Sequence, residues 1–334
     1  MTSLQRYLAT VHNEPVHFLP RVPILMGFAA QYIGSNYGAF ASDYRVLVEA
    51  NLRCRDDFGF DQVSAISDPY RETQGFGAEI EFVSDGVPRC LTIPLGESRD
   101  LSALLTPDPY TSERMRDRIK AVQSFKEQCA GDCSILGWVE GPAAEAADLR
   151  GVTNFLMDLY DEPQFACDLM DRCIEVGIAF GKAQIKEGAD TIGIGDAIAS
   201  QLSPATYGEF VFPRERRLVE ALHKAGGLVR LHICGDTTHL LPYFAQLGAD
   251  IIDLDWQVDM AKARATCPPG TVLTGNLDPA NAVLKGTPEA IEQGLRDIYT
   301  RIGNPYMTGA GCEIPMGTPN ANLKALCAQI EYRK

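Results

Sequence analysis

The stretch Leu228-Val229-Arg230-Leu231-His232-Ile233-Cys234-Gly235-Asp236 begins as a strand and ends as a loop. Its apolar opening suits a strand buried on both faces, and Gly235-Asp236 marks the turn that follows. His232 and Cys234, two apart, therefore stand at a strand's C-terminal end. Seventy-eight positions after Cys234, Cys312 sits in Thr308-Gly309-Ala310-Gly311-Cys312-Glu313-Ile314-Pro315, again just past a short apolar segment. One imidazole and two thiolates make a three-ligand set for zinc, and three protein ligands leave a position open for chemistry.

Working outward, strands and helices alternate almost throughout, which predicts an α/β fold with a parallel sheet. Expected strands are Pro23-Ile24-Leu25-Met26-Gly27-Phe28, Gln62-Val63-Ser64-Ala65-Ile66-Ser67, Ser134-Ile135-Leu136-Gly137-Trp138-Val139 and Thr191-Ile192-Gly193-Ile194. The run into His232 is the fifth. Ile251-Ile252-Asp253-Leu254-Asp255, Thr271-Val272-Leu273-Thr274-Gly275 and Tyr306-Met307-Thr308 follow. Helical spacing covers residues 41–57, 115–127, 143–187 with a break near Asp161-Glu162-Pro163, and 322–332. Ser203-Pro204 opens another helix, Ser as N-cap and Pro in the first turn. Residues 78–82 and 89–93, around Ser84-Asp85-Gly86, read as a β-hairpin.

Eight strands with intervening helices predict a (β/α)8 TIM barrel, one domain over residues 1–334. It carries an N-terminal extension and a β-hairpin excursion after the second strand. Asp68, Glu140, Asp196, His232, Cys234, Asp255, Asn276 and Cys312 all fall at or just beyond strand C-terminal ends, where barrel enzymes place their chemistry. An open doubly wound sheet would want a Gly-rich phosphate loop after an early strand, and none is present.

The chain has 334 residues, 46% hydrophobic and 22% charged, with a formal net charge of -14. Such charge repels phosphate backbones and anionic membranes, which argues against nucleic acid or membrane partners. No apolar run approaches the ~20 residues that span a bilayer. The N-terminus lacks an apolar signal core, so a cytoplasmic protein is expected. The ten Cys are then reduced thiols, mostly small buried hydrophobes. Cys129 and Cys133 precede the third strand, away from the chemistry, and read as structural. Cys54, Cys167, Cys173 and Cys327 read as core.

Zn²⁺ with one neutral imidazole and two thiolates has a net charge near zero. It lowers the pKa of a bound thiol or water without quenching the anion's nucleophilicity, or acts as a Lewis acid on an ether oxygen. Both suit methyl transfer. Asp196 is read three ways: a fourth ligand, a substrate contact, or a cap for the Ser203-Pro204 helix region. Glu140 or Asp255 would orient His232 through its second nitrogen. His239 is either a neighbour of the metal loop or a surface group.

At these residues the chain resembles the uroporphyrinogen decarboxylase superfamily, in its cobalamin-dependent methyltransferase branch. The matching stretches run nearly end to end. They are Ile135-Leu136-Gly137-Trp138-Val139-Glu140-Gly141-Pro142, Ile194-Gly195-Asp196, Leu202-Ser203-Pro204, Phe210-Val211-Phe212-Pro213, His232-Ile233-Cys234-Gly235-Asp236, Gly275-Asn276-Leu277-Asp278-Pro279 and the Cys312 loop. The resemblance implies a (β/α)8 barrel, with His232, Cys234 and Cys312 as zinc ligands. The decarboxylases carry an Arg-rich loop after strand one for substrate propionates. Here that place reads Gly27-Phe28-Ala29-Ala30-Gln31-Tyr32, without Arg. They also lack His-x-Cys after strand five and the Cys of the last loop.

The implied activity is methyl transfer between a separate corrinoid protein, which supplies cobalamin, and a small acceptor such as a thiol or tetrahydrofolate. The alternative is the demethylating half-reaction, from a methoxylated or methylated substrate to cob(I)alamin. A decarboxylase of the uroporphyrinogen type ranks below both. Glu140 and Asp196 are the expected catalytic carboxylates. Asp68, which matches the decarboxylase aspartate, is expected to contact substrate with Gln31, Asn276 and Asp255. A homo-oligomer is compatible with this reading.

Overall fold

The computed structural model describes residues 1–129 and 131–334. Among them nine strands form: β1 (Gln62–Ser64), β2 (Glu79–Glu81), β3 (Arg89–Thr92), β4 (Ser134–Glu140), β5 (Thr191–Gly195), β6 (Leu228–Ile233), β7 (Ile251–Leu254), β8 (Val272–Leu277) and β9 (Tyr306–Ala310). Seven make one sheet in the order β1-β4-β5-β6-β7-β8-β9, and every neighbouring pair is parallel. Parallel pairing needs long crossovers. The helices Glu113–Cys129, Pro163–Glu187, Phe212–Lys224 and Pro288–Ile302 supply four of them. Helices on one face and packed side chains on the other explain why strands β4 to β9 are buried along nearly their whole lengths. β2 and β3 form a separate antiparallel pair, the hairpin read from residues 78–93.

The first expected strand needs correction. Residues 20–24 run extended beside the sheet without forming a strand, and Gly27–Tyr32 is a helix. Pro20 and Pro23 have no amide hydrogen to give a ladder. The segment nevertheless meets both edges of the sheet. Val22 N donates to Thr308 O at 2.9 Å, Thr308 N to Pro20 O at 2.8 Å, and Asp61 N, just ahead of β1, to Arg21 O at 2.8 Å.

Two helix boundaries also differ. The 143–187 region breaks at Asp161-Glu162-Pro163 as expected, and again at Gly151, giving Pro142–Arg150, Val152–Asp161 and Pro163–Glu187. Gly151 holds φ +83°, a left-handed conformation that only glycine adopts cheaply. The last helix is Asn320–Leu326, short of residue 332. Beyond it Leu19 N donates to Ile330 O at 2.9 Å and Tyr332 N to His17 O at 3.3 Å, so backbone pairing with residues 17–19 takes the place of helix.

The N-terminal helix Ser3–Val11, opened by a capping box of Thr2 and Gln5, closes the end of the sheet where strands begin. Tyr7 packs with Val22, Ile251, Val272 and Met307. Arg6 and Arg21 both pair with the fully buried Asp61. The strand C-terminal ends are left for the site. No described helix is long and apolar enough to cross a membrane.

One close approach shapes that end. Gly193 on β5 lies in register with Trp138 on β4, and a Cβ at Gly193 would come within 2.1 Å of the indole. Gly193→Ala is expected to cost about 1–3 kcal/mol by overpacking, read as a lowered urea midpoint at unchanged slope.

Candidate functional site

β6 and β9 stand three places apart in the sheet, yet the loops that follow them touch. His232 Nε2 lies 3.0 Å from Cys234 Sγ, and Cys234 Sγ lies 3.5 Å from Cys312 Sγ. One donor atom from each of the three falls within 4.8 Å of the others. The sheet is thus curled enough to bring the two loops, and their thiols, together across the mouth.

The donor set fits a tetrahedral metal. Zinc bonds of about 2.3 Å to sulfur and about 2.0 Å to nitrogen place neighbouring donors roughly 3.5–3.8 Å apart. Such geometry asks His232 and Cys234 to spread by about half an ångström and the two sulfurs by about a quarter of one. His232 is buried and both thiols are half-buried.

The opposite ring nitrogen, His232 Nδ1, lies 3.1 Å from Asp253 Oδ2, a close polar contact short of hydrogen-bond alignment, and has no other partner among the described residues. Asp253 is paired in register with His232 on the adjacent strand. It also accepts from Arg230 Nε at 3.1 Å and Nη2 at 2.7 Å. Arg230 in turn reaches Gln62 Oε1 at 3.0 Å. An Arg–Asp–His row therefore crosses the inside of the sheet and fixes the imidazole with Nε2 toward the thiols. This corrects the expectation that Glu140 or Asp255 orients His232. A carboxylate inside an otherwise apolar strand, Ile251-Ile252-Asp253-Leu254, was the available signal.

Burial pushes the Cys234 thiol up, on top of the larger effect of its hydrogen bond to Cys312. The same bond, with help from His232, brings Cys312 down to about 5 against its burial. His232 is raised: burial lowers it, but Asp253 and Cys234 outweigh that. The cluster without metal thus already favours a thiolate on Cys312.

An inner cavity of about 170 Å³ opens onto these three residues, walled by Ile24, Met26, Ile66, Trp138, Asp68 and Glu140 among others. A wider outer one of about 480 Å³ continues outward past Asp255, Trp256 and Met316. Tyr37, Val87, Cys312 and Glu313 line both, and Val87 belongs to the turn between β2 and β3. Trp138 sits with its ring 6.4 Å from the His232 ring. Tyr37 donates to Ser67 O at 2.7 Å. Glu313 Oε1 accepts from Gly27 N at 2.8 Å, and burial pushes its carboxyl up to about 7. Tyr37, Trp138 and Glu313 join Asp253 as site residues that motif reading passed over.

The expected carboxylates separate into two groups. Glu140 lines the cavity and accepts from Arg71 Nη2 at 2.5 Å, while its backbone N donates to Glu72 at 3.0 Å. Burial, the largest influence, holds Glu140 well above the usual carboxylate range despite Arg71. Asp68 lines it too, accepting from Arg114 Nη2 at 2.5 Å and Ser67 Oγ at 2.7 Å. Asp196 is placed elsewhere. Its carboxylate accepts from Ala143 N at 3.3 Å and Ala144 N at 2.6 Å, capping the helix Pro142–Arg150, and it does not line the cavity.

Asp255 lines only the outer cavity. Asn276 donates to Asp255 O at 2.7 Å and Val258 O at 2.9 Å, bracing the loop after β7. Gln31 is exposed and accepts from Gly317 N at 2.8 Å, outside both cavities. His239 faces Leu202 O at 2.9 Å, not the cluster of His232, Cys234 and Cys312.

Asp68 carries a pH consequence. Burial pushes it up, but Arg114 wins and holds it at about 2. A carboxylate depressed in the folded state contributes stability that is present above its ordinary range near pH 4 and lost as pH falls through about 2. The stability gap between wild type and Asp68→Asn is therefore expected to narrow from about pH 6 to about pH 3 in urea melts.

The uroporphyrinogen decarboxylase (URO-D) family model matches residues 2–332. Methylcobamide:CoM methyltransferase MtbA from Methanosarcina mazei is 27% identical over 341 residues, covering 99% of this chain and 98% of that protein. Uroporphyrinogen decarboxylase from Anaeromyxobacter sp. (strain Fw109-5) is 26% identical over 343 residues, with 96% of each chain covered. Among solved structures, a methyltransferase from Methanosarcina mazei superimposes with a TM-score of 0.90 at 23% identity, over 98% of this chain and 97% of that one. The last likeness establishes the fold.

Proposed function

We propose that this chain, which belongs to the uroporphyrinogen decarboxylase family, is a zinc-dependent methyltransferase acting between a methylcobamide on a separate corrinoid protein and a small thiol acceptor. The observation that carries the reading is the convergence of His232, Cys234 and Cys312 beneath a cavity, backed by Asp253 on the far ring nitrogen. A relative named methylcobamide:CoM methyltransferase, similar over 99% of the chain, supports it. The stretch at residues 20–24 then counts as the eighth stave of a (β/α)8 barrel.

His232, Cys234 and Cys312 would hold zinc, whose Lewis acidity would lower the pKa of an acceptor thiol toward neutral pH. The chain's own residues do the rest. Asp253 keeps the His232 tautomer with Nε2 free to ligate. Ile24, Ile66 and Trp138 keep water from the inner cavity, so the acceptor sulfur is less solvated and more nucleophilic. Glu140 and Asp68 present oxygens to the polar end of the acceptor, each braced by an arginine behind it.

The decarboxylase alternative meets an electrostatic objection. Neither cavity is lined by a lysine or arginine, and Arg71 and Arg114 are already engaged by Glu140 and Asp68, so the carboxylates of a polycarboxylate tetrapyrrole would find no free cation to pair with. The same lining favours an acceptor, or in the demethylating direction a donor, that is neutral or cationic where it meets Glu140 and Asp68.

The test is loss of the methylcobalamin spectrum with a panel of acceptors: 2-mercaptoethanol, 2-mercaptoethanesulfonate and tetrahydrofolate, each with zinc-loaded and chelator-stripped protein. Zinc-dependent demethylation with at least one thiol is expected. Carbon dioxide release from uroporphyrinogen by stripped protein, with no methyl transfer to any acceptor, would sink the proposal.

A further inference from the structure

At the end of the sheet away from the cavity, Cys129 ends the helix Glu113–Cys129 and Cys133 immediately precedes β4. The Cys133 thiol donates to Cys129 Sγ across 2.8 Å. Arg55 Nη1 lies 3.7 Å from that same sulfur, and Asp132 Oδ2, at 2.6 Å from Arg55 Nη2, holds the guanidinium there. The methyl transfer uses neither thiol. We propose that Cys129 and Cys133 form a peroxide-responsive dithiol, in which Cys129 is oxidised first and Cys133 resolves it to a disulfide.

Geometry and charge both select this pair. A disulfide needs its sulfurs at about 2.05 Å, so the gap closes by less than an ångström. The cationic Arg55 and the donated S–H of Cys133 both stabilise a thiolate on Cys129, the form that attacks. That hydrogen bond is the largest influence on Cys129 and brings it down despite burial, while burial pushes Cys54 and Cys327 up to about 12.

The chemistry closes with a hydroperoxide as the named oxidant. Cys129 thiolate attacks one peroxide oxygen, the O–O bond breaks, and hydroxide leaves as a sulfenic acid forms. Cys133, its proton passing to that hydroxide, attacks the sulfenic sulfur. The S–S bond forms and a second hydroxide leaves, protonated to water. Two thiols lose two electrons, and one hydrogen peroxide becomes two waters. At 3% and 1% exposure the thiols exclude a bulky disulfide oxidant. A two-oxygen peroxide needs only a small opening beside the exposed Gly131 and Asp132. The product ties a helix end to the start of β4.

Native protein treated with hydrogen peroxide, then blocked with N-ethylmaleimide in denaturant, decides the matter, because trypsin leaves both cysteines in one peptide, 127–150. That peptide is expected about two mass units lighter and unlabelled, while Cys54 and Cys327 remain alkylated. Arg55→Gln should slow its appearance at least about threefold, and Cys133→Ser should leave a sulfenic acid on Cys129 that a 1,3-dione traps. Full maleimide labelling of peptide 127–150 at peroxide levels that already oxidise the half-buried Cys90 and Cys167 overturns the proposal. So does disulfide formation at an unchanged rate in Arg55→Gln. The wild-type peptide carries the decisive reading, so a variant that misfolds leaves the test standing.

Discussion

Cys312→Ala is expected to abolish zinc binding at the mouth and to lower methyl transfer from methylcobalamin by more than about 100-fold. Losing even an outer-shell partner of a metal ligand costs about 10–100-fold in affinity or activity, and here one of three direct donors goes. The fold should survive. Cys312 is half-buried, its loop is held by Gly311 N donating to Leu277 O at 2.8 Å and Ile314 N donating to Ile24 O at 3.0 Å, and alanine removes one atom from a site that opens on a cavity. Elemental analysis of wild type and variant, beside their circular dichroism melts, separates metal loss from unfolding. Full transfer activity from a zinc-free, folded Cys312→Ala protein would remove the metal from the mechanism altogether. Cys267→Ala, at a buried thiol outside the cluster, should keep both metal and rate.

Why Cys312 could be paired with His232 and Cys234 from sequence, while Asp253 could not, is a matter of which link each inference needs. Apolar runs of four to seven residues ended by polar groups place ligands at strand ends, and strand ends in one parallel sheet share one face. That much needs no knowledge of register. Asp253 needs it: His232 and Asp253 are neighbours only because β6 and β7 pair at that offset. Read along the chain, Asp255 at the strand end was the more obvious choice. Side-chain direction past a strand's end is likewise a tertiary outcome, which is why Asp196 could be read as ligand, substrate contact or cap. Two free amides at the start of Pro142–Arg150 take its carboxylate, so it caps that helix and not the one at Ser203-Pro204. The chain order predicts Gln31 in a loop after a first strand, but two prolines keep residues 20–24 from pairing regularly and the short helix Gly27–Tyr32 carries Gln31 outward. Arg71 and Arg114, which stand behind Glu140 and Asp68, come from segments with no motif. Their role is visible only in space.

The largest expected effect on folding falls on Asp253, a residue that touches neither cavity. Arg230 is 2% exposed and Asp253 2% exposed, so each satisfies a charge that water cannot reach. Breaking such a pair by removing one partner costs about 3–5 kcal/mol, because the remaining charge is left buried and uncompensated. Asp253→Ala does this to Arg230 and at the same time frees His232 Nδ1, so both stability and metal affinity should fall. Asp253→Asn divides the two effects. Its amide oxygen can still accept from Arg230, keeping much of the folding energy, but it supplies no anion to polarise the imidazole. The expected outcome is a milder shift of the urea midpoint than in Asp253→Ala, with zinc affinity lower by about 10–100-fold. A double variant, Arg230→Met with Asp253→Leu, exchanges the buried pair for apolar volume and should recover stability without recovering zinc affinity. If zinc affinity instead returned with stability in that double variant, Asp253 would be acting through the fold and not through the His232 ring.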